Sequence, residues 1–337
     1  MPIPSRRPSG PRRSHNGMDM APVQRHDTVL LKEAVDALEV TAGDVVVDAT
    51  LGGAGHFGAL LALLGKEGTL VGIDADKDAL VRAQAVVDAV PEDVRPTVHL
   101  VNGNFRDLAV ILDELELTPT KVLFDLGWSA FHLTSGRGFS FRTDEPLLMT
   151  YGDPEGVTTA ADLVNHLSES SLADLLWSLG EERFARSIAK SIVAVREEKP
   201  IETTADLVAA IGEGAPSWYQ HRKIHPATKT FQALRIAVND ELGALREGLS
   251  VALERVPAGG RVAVITFHST EDRIVKTMLR EAVDEGRGTL ASRKPVAPSA
   301  AELEKNPRAR SAKLRTFVAG APAVKNRINL TSFPAYA

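Results

Sequence analysis

The sequence predicts an α/β protein, an open and mostly parallel sheet wrapped by helices and interrupted after its fourth strand by an all-helical segment. Three observations carry that expectation. Between Val45 and Leu126, short β-branched runs alternate with helix-period runs, and strands joined through helices make parallel sheets with right-handed crossovers. From Ala130 to His225 the strand-like runs stop and only helix-like ones remain. The alternation then returns, with an apolar run from Arg261 to Phe267.

The elements follow in order. "VVVDA", "TLVGID", "TVHLVN" and "KVLFDL" read as the first four strands, each a short β-rich run bounded by turn residues. Between them the 3.6-residue period predicts helices over Gly55–Leu64, Lys77–Val90 and Arg106–Glu114. The interrupting segment offers "TTAADLVNHL", "SLADLLWSLG", "EERFARSIAKSIVAVREE" and "TTADLVAAIGEG" as helices. One long amphipathic helix is expected from Ala227 to Arg255, then a Gly-Gly turn, a strand over Arg261–Phe267 and a further helix. The stretch from Gly286 on is rich in Pro, Lys and Arg with little periodicity, and reads as a surface loop. The expected domains are a disordered basic arm over 1–25, a sheet domain over 26–129 and 226–320, a helical insertion over 130–225 and a tail over 321–337.

Composition narrows the function classes. With 337 residues, 44% of them hydrophobic and 25% charged, an ordinary globular enzyme is the expectation. A net charge of -5 argues against a uniformly basic nucleic-acid binder, although both ends are basic and "KNPRARSAKLR" holds no acid. Apolar runs such as "GALLALLG" fall far below the ~20 residues a membrane span needs, so no membrane association is expected. Zero cysteines exclude disulfides, thiolate nucleophiles and cysteine-ligated metal, and agree with a cytoplasmic location.

Gly53, Gly55 and Gly58 spell G-x-G-x-x-G between a strand and a helix, the pattern by which backbone approaches a nucleotide cofactor in Rossmann-like sheets. Asp48, at the end of the first strand, would repel a pyrophosphate but suit an ammonium or sulfonium ligand. Asp74 ends the second strand at the distance where an acid reaches a ribose diol, in NAD and S-adenosylmethionine alike. Phe105, after the third strand, offers a ring for adenine, Asp125 ends the fourth strand beside the reacting centre, and His56 opens a helix toward the cofactor. Taken together these favour the methyl donor.

"HDTVLLKEAVDAL", "DATLGGAGH", "GIDADKDAL", "FDLGWSAFHL", "RGFSF", "GEERFARSIAKSIV", "HPATKTFQALRIAVNDEL", "GGRVAVITFHSTEDRIVK" and "NPRARSAKLR" occur in that order. Together they resemble the bacterial 16S ribosomal RNA cytosine-N4 methyltransferases, the RsmH or MraW family, over roughly His26 to Arg315. The resemblance implies a Rossmann-like methyltransferase sheet with a helical insertion. It also implies S-adenosylmethionine as cofactor, S-adenosylhomocysteine as product, and methylation of a decoding-centre cytidine, position 1402, in the 16S RNA of the small ribosomal subunit. Cofactor contacts carried over by motif fall on Ala54, Gly55, His56, Asp74, Phe105, Asp125 and His132, the last standing where the family usually has Gln. Three departures stand out. "PLDMRMD" has become "PLLMTYGD", which removes an acid at Leu148 and a base at Thr150; "DLGVSS" has become "DLGWSA", and "FHSLED" has become "FHSTED".

Such a reaction needs acceptors for the N–H protons of a poorly nucleophilic amine, placed near the methyl group. Asp125, the loop Gly127–Ser129, and His268 with Ser269 are the candidates, and no metal is required. Arg137 and Arg142 flank "GFSF" in a loop suited to clamp an extruded nucleotide, and Arg308, Arg310, Lys313 and Arg315 suit phosphates. An N-methyltransferase acting on another RNA, DNA or protein, a catalytically altered ribosome-assembly factor and an NAD-dependent oxidoreductase remain the alternatives. The sequence leaves the oligomeric state open, a homodimer included.

Overall fold

A computed structural model describes residues 28–222 and 224–320. The expected arm over 1–25 and tail over 321–337 lie outside the described residues.

Helix α1 (Leu31–Leu38) precedes the alternating part, β1 (Val45–Asp48), α2 (Gly55–Leu63), β2 (Thr69–Asp74), α3 (Lys77–Asp88), β3 (Thr97–Asn102), α4 (Leu108–Glu114) and β4 (Lys121–Asp125). Seven α-helices follow among the described residues before the next strand: α5 (Ala160–His166), α6 (Glu169–Gly180), α7 (Ala185–Glu198), α8 (Thr204–Gly214), α9 (Ser217–Gln220), α10 (Ala227–Val238) and α11 (Glu241–Arg255). The chain closes through β5 (Arg261–Thr266), α12 (Ser269–Asp284), β6 (Gly288–Leu290), α13 (Ala300–Lys305) and β7 (Lys313–Ala319).

The strands form one sheet in the order β3-β2-β1-β4-β5-β7-β6. Strands β1 to β5 pair in parallel, whereas β7 runs antiparallel to both β5 and β6. The order reverses between β1 and β4, the place where open α/β sheets bind ligands at the carboxyl ends of their strands. Val47, Val71, Phe124 and Val264 face one side of the sheet and pack on α4, α11 and α12. Val46, Leu70, Leu123 and Ile265 face the other side and pack on α1, α2 and α3. Alternation of that kind follows from the two-residue period of a strand buried on both faces.

A third apolar cluster joins α5 to α8 around Leu172, Ile188, Ile192 and Leu207. Its helices start where the sequence places caps: the hydroxyls of Thr159, Ser168 and Thr203 accept backbone N–H bonds at the starts of α5, α6 and α8. Between β4 and β5 no strand of the central sheet occurs among the described residues. No helix there is long and apolar enough to cross a membrane.

Two expectations are corrected. The long helix over Ala227–Arg255 is broken at Asn239 and Asp240, Asp240 taking the left-handed conformation at φ 43°. Its halves serve different cores: Phe231 and Leu234 of α10 pack with the helical cluster, and Leu245 and Leu249 of α11 pack on the sheet. A straight helix cannot point its apolar stripe at both. The stretch from Gly286 is not a surface loop throughout, because it supplies β6, α13 and β7. Charges mask the strand alternation of β7: Leu314, Thr316 and Phe317 are buried, while Lys313 and Arg315 share the carboxylate of Asp272 from α12.

Candidate active site

A cavity of about 730 Å³ opens over the carboxyl ends of β1, β2 and β4 and is closed from the other side by α10, α11 and the segment after β4. Its floor is the glycine loop. Ala54 turns the chain at φ 60°, buried behind Gly53, Gly55 and His56, which border the cavity. A side chain at Gly55 would fall 1.8 Å from the Thr28 hydroxyl, so only glycine lets α2 begin that close.

Asp74 holds this loop. Its two oxygens accept the backbone N–H groups of Gly52 and Asp76, both at 2.8 Å. Burial raises its pKa despite those bonds. Each carboxylate oxygen retains a second acceptor site, so Asp74 can fix the loop and still receive a ligand hydroxyl. Replacing Asp74 by Ala is expected to weaken nucleoside binding by about 1–3 kcal/mol; unchanged affinity by calorimetry would remove it from the site.

Asp125 ends β4 beside this loop. Thr50 takes its backbone N–H at 2.7 Å, His56 Nδ1 stands 3.3 Å from Oδ2, and Oδ1 is buried without a partner. Asp48 lies fully buried beneath the floor and does not border the cavity, which removes it from direct contact with a cationic ligand. Burial pushes Asp48 up to about 7 although His56 pulls it down. His56 is also raised: burial opposes its charge, and the hydrogen bond and charge of Asp125 overcome it. Both groups hold protons in the folded state that the unfolded chain releases at lower pH, so stability should fall as pH rises from about 4 to 7 and on through the His56 titration. Asp48→Asn should flatten the lower part of that slope, converging with the native protein below about pH 4 in thermal melts.

Phe105 supplies an apolar wall, edge-on to Phe124 with centroids 5.6 Å apart. Gly248 makes this possible, because a Cβ there would lie 2.7 Å from the Phe105 carbonyl. His132 is buried between Phe139 and Tyr151, centroids 5.0 and 5.1 Å away. Burial and the nearby Arg137, Arg82 and Arg235 lower its pKa to about 3, so it is neutral. Ser129 N donates to Nδ1 at 3.0 Å, which leaves the proton on Nε2, an N–H without a partner and 3.7 Å from Asp76.

The opposite wall carries a buried ionic cluster. Arg235 of α10 donates twice to Glu241 of α11, at 2.7 and 2.9 Å, and the Tyr151 hydroxyl donates to the same carboxylate at 2.9 Å. Burial and the neighbouring carboxylate raise the Tyr151 pKa well above its ordinary value, so it remains a phenol. Asn239, in the break between α10 and α11, donates to the Met149 carbonyl and accepts from Tyr151 N. The rewritten segment over 146–152 is therefore clamped from two sides, since Arg137 donates to the carbonyls of Thr150, Tyr151 and Gly152.

The candidates are distributed as follows. Gly55, His56, Asp74, Phe105, Asp125, His132 and His268 all border the one cavity. His268 is tied to its own helix, Nδ1 accepting from Glu271 N and Nε2 lying 3.1 Å from the Glu271 carboxylate. Ser269 is turned away and donates to Glu181 at 3.0 Å. Arg137 is engaged with backbone carbonyls and, at 3.5 Å, with Asp76. Lys313 and Arg315 are engaged with Asp272. Arg142 and Arg310 are exposed, and Arg308 reaches the cavity rim with its guanidinium 6.0 Å from the Trp128 ring. Sequence reasoning missed Tyr151, Arg235, Asn239 and Glu241 as site residues; three of them sit in the quoted "LRIAVNDEL", where only a buried charge inside an apolar helix pattern hinted at them.

Carboxylates at two strand ends beside the glycine loop disfavour a pyrophosphate and suit a nucleoside bearing positive charge, and the Arg82 cation beside the loop is already engaged by the Gly52 carbonyl and the Asp76 carboxylate. The orphaned Asp125 Oδ1 and His132 Nε2 are polar atoms that such a ligand would satisfy.

Comparison with known proteins agrees in direction. Residues 23–319 match the model of the MraW methylase family. A Deinococcus radiodurans protein named ribosomal RNA small subunit methyltransferase H is 46% identical over 87% of this chain and 89% of its own length. Proteins of the same name from a Paenibacillus species and from Koribacter versatilis are each 44% identical, over 86% of this chain and 98% and 92% of theirs. With nearly the whole sheet and all of the helical segment inside the match, this chain belongs to the MraW methylase family.

Proposed function

We propose that the chain transfers a methyl group from S-adenosylmethionine to the exocyclic N4 amine of a decoding-centre cytidine in small-subunit ribosomal RNA. The observation that carries this reading is Asp125: an acceptor oxygen without a partner, held at the end of β4 on the wall of the cavity that the glycine loop also borders. The printed names of the relatives support the substrate class.

When bound, S-adenosylmethionine supplies a methyl group on a sulfonium centre. The residues that would hold it are the loop over Gly53–His56, Asp74 and Phe105, with the His132 N–H as a further donor. Asp125 would accept a hydrogen bond from the amine, raising electron density on nitrogen, and would take up the proton that the methylated amine gives up, passing it on to solvent. His56, held near Oδ2 at 3.3 Å, keeps that carboxylate oriented. The Tyr151–Glu241–Arg235 cluster fixes the far wall with no freely rotating charge, so orientation is in place before the base arrives.

Mass spectrometry of small-subunit RNA from cells with and without the gene tests this reading. An N4-methylcytidine at the decoding centre that disappears with the protein is expected. RNA unchanged by its loss, together with no transfer of labelled methyl to purified small subunits, would refute it.

A further inference from the structure

Beyond the cavity, an aromatic and basic surface runs along the edge of the helical layer. Trp218 of α9 is 53% exposed and packs edge-to-face on Phe184 and Tyr219, with centroids 5.6 and 5.9 Å away. Arg183 lies 5.7 Å from the Phe184 ring and Arg222 lies 5.7 Å from the Tyr219 ring, both exposed. Tyr219 is anchored beneath by its hydroxyl, which donates to the fully buried Glu182 at 2.9 Å. Rigid support of this kind would be idle for a ring meant only to fill the core, because Trp218 leaves half its surface in solvent.

Two contacts join this surface to the cavity. Three residues beyond Arg222, the exposed His225 stacks on Phe141 with centroids 4.5 Å apart, and Phe141 borders the cavity. Two residues before Arg183, Glu181 accepts from Ser269, next to the cavity residue His268. The acid there is itself matched by Arg273 at 3.4 Å. An exposed indole seated on more deeply buried rings, with two exposed guanidinium groups beside those supporting rings, has the chemistry of single-stranded RNA binding, where bases stack on aromatic faces and phosphates meet cations.

We propose that Trp218, with Arg183 and Arg222 and continued by His225 on Phe141, is the track along which the RNA strand flanking the target nucleotide lies. The proposal rests on the reading of the chain as an RNA methyltransferase and adds where its substrate is held.

The test uses full-length protein in which Trp128 and Trp177 are replaced by Phe, leaving Trp218 as the sole indole of the three. The probe is a fluorescein-labelled oligoribonucleotide spanning the decoding-centre segment. Binding is read independently by anisotropy, and labelled methyl transfer to small subunits is measured with the native protein, because Trp128 borders the cavity. Quenching of Trp218 is expected to saturate with the anisotropy. Trp218→Ala should weaken RNA binding by about tenfold or more, and Trp218→Phe should restore most of it. Arg183→Ala and Arg222→Ala should each lower the slope of log affinity against log salt by about 0.7. RNA that binds while Trp218 stays silent and Trp218→Ala binds equally overturns the proposal. So does an indole that responds to ribosomal protein freed of RNA, which would make the partner a protein. A responsive Trp218 without methyl transfer would sink the enzymatic reading and leave the track standing; methyl transfer with a silent Trp218 would do the reverse.

Discussion

Asp125→Asn should reduce methyl transfer by about 10²-fold or more while leaving the fold intact. The substitution keeps the size of the side chain, and the backbone N–H remains with Thr50, so packing at the end of β4 changes little. On the proposed reading, what is lost is a carboxylate acceptor for the amine, and general base or acceptor groups typically contribute 10²- to 10⁴-fold. His56 should lose its raised pKa at the same time, because the hydrogen bond and charge of Asp125 are what overcome its burial. Single-turnover transfer on purified small subunits gives the rate, and thermal melting checks the fold. A rate within tenfold of the native protein would assign the acceptor role to another group.

Arg235→Ala should have the largest effect on stability, a loss of about 3–5 kcal/mol by urea denaturation. The guanidinium is buried, and both of its hydrogen bonds go to Glu241. Removing it strands a carboxylate in a cavity wall with the Tyr151 hydroxyl as its remaining hydrogen-bond donor and the Glu271 carboxylate nearby, and an uncompensated buried charge costs that much. Burial penalises the cation, yet Glu241 outweighs it and raises the Arg235 pKa further, so the guanidinium keeps its charge. Replacing both partners, Arg235→Met with Glu241→Leu, should recover part of the loss because no charge is then stranded. A single substitution costing less than about 1 kcal/mol would show the pair to be solvated in solution.

The parallel part of the sheet was legible because β1 to β3 are short apolar runs, each followed by a helical stretch before the next strand, and β4 closes that alternation. Asp74, Phe105 and Asp125 were legible for a related reason: a strand end in an open α/β sheet is a fixed address, and residue type supplies the rest. What the sequence hid depends on distant pairing. Asn239 meets Met149, and Glu241 meets Tyr151, across 90 residues, a separation no periodicity reports. Ser269 and Arg137 illustrate the opposite failure, since a polar residue beside a site residue looks functional until its partner, Glu181 for one and a row of carbonyls for the other, is seen. The same kind of distant pairing holds the segment around Leu148 and Thr150. Thr150 is buried, and its segment is clamped by Arg137 and Asn239 rather than by an ion pair of its own.

The position of β7 between β5 and β6 has a consequence for how the protein is made. Strand β4, which ends in Asp125, has one flank open until β5 emerges, and β5 waits in turn for residues 313–319. At roughly 5–20 residues per second that final strand is polymerised about 10–40 seconds after Asp125. Through that interval the nascent chain carries an unpaired, apolar β edge, the feature that recruits stray strands. The intervening helices, built on contacts close in sequence, can form meanwhile and shelter the edge. A ribosome-bound chain halted before residue 313 should therefore bind holdase chaperones more strongly than one released past Ala319.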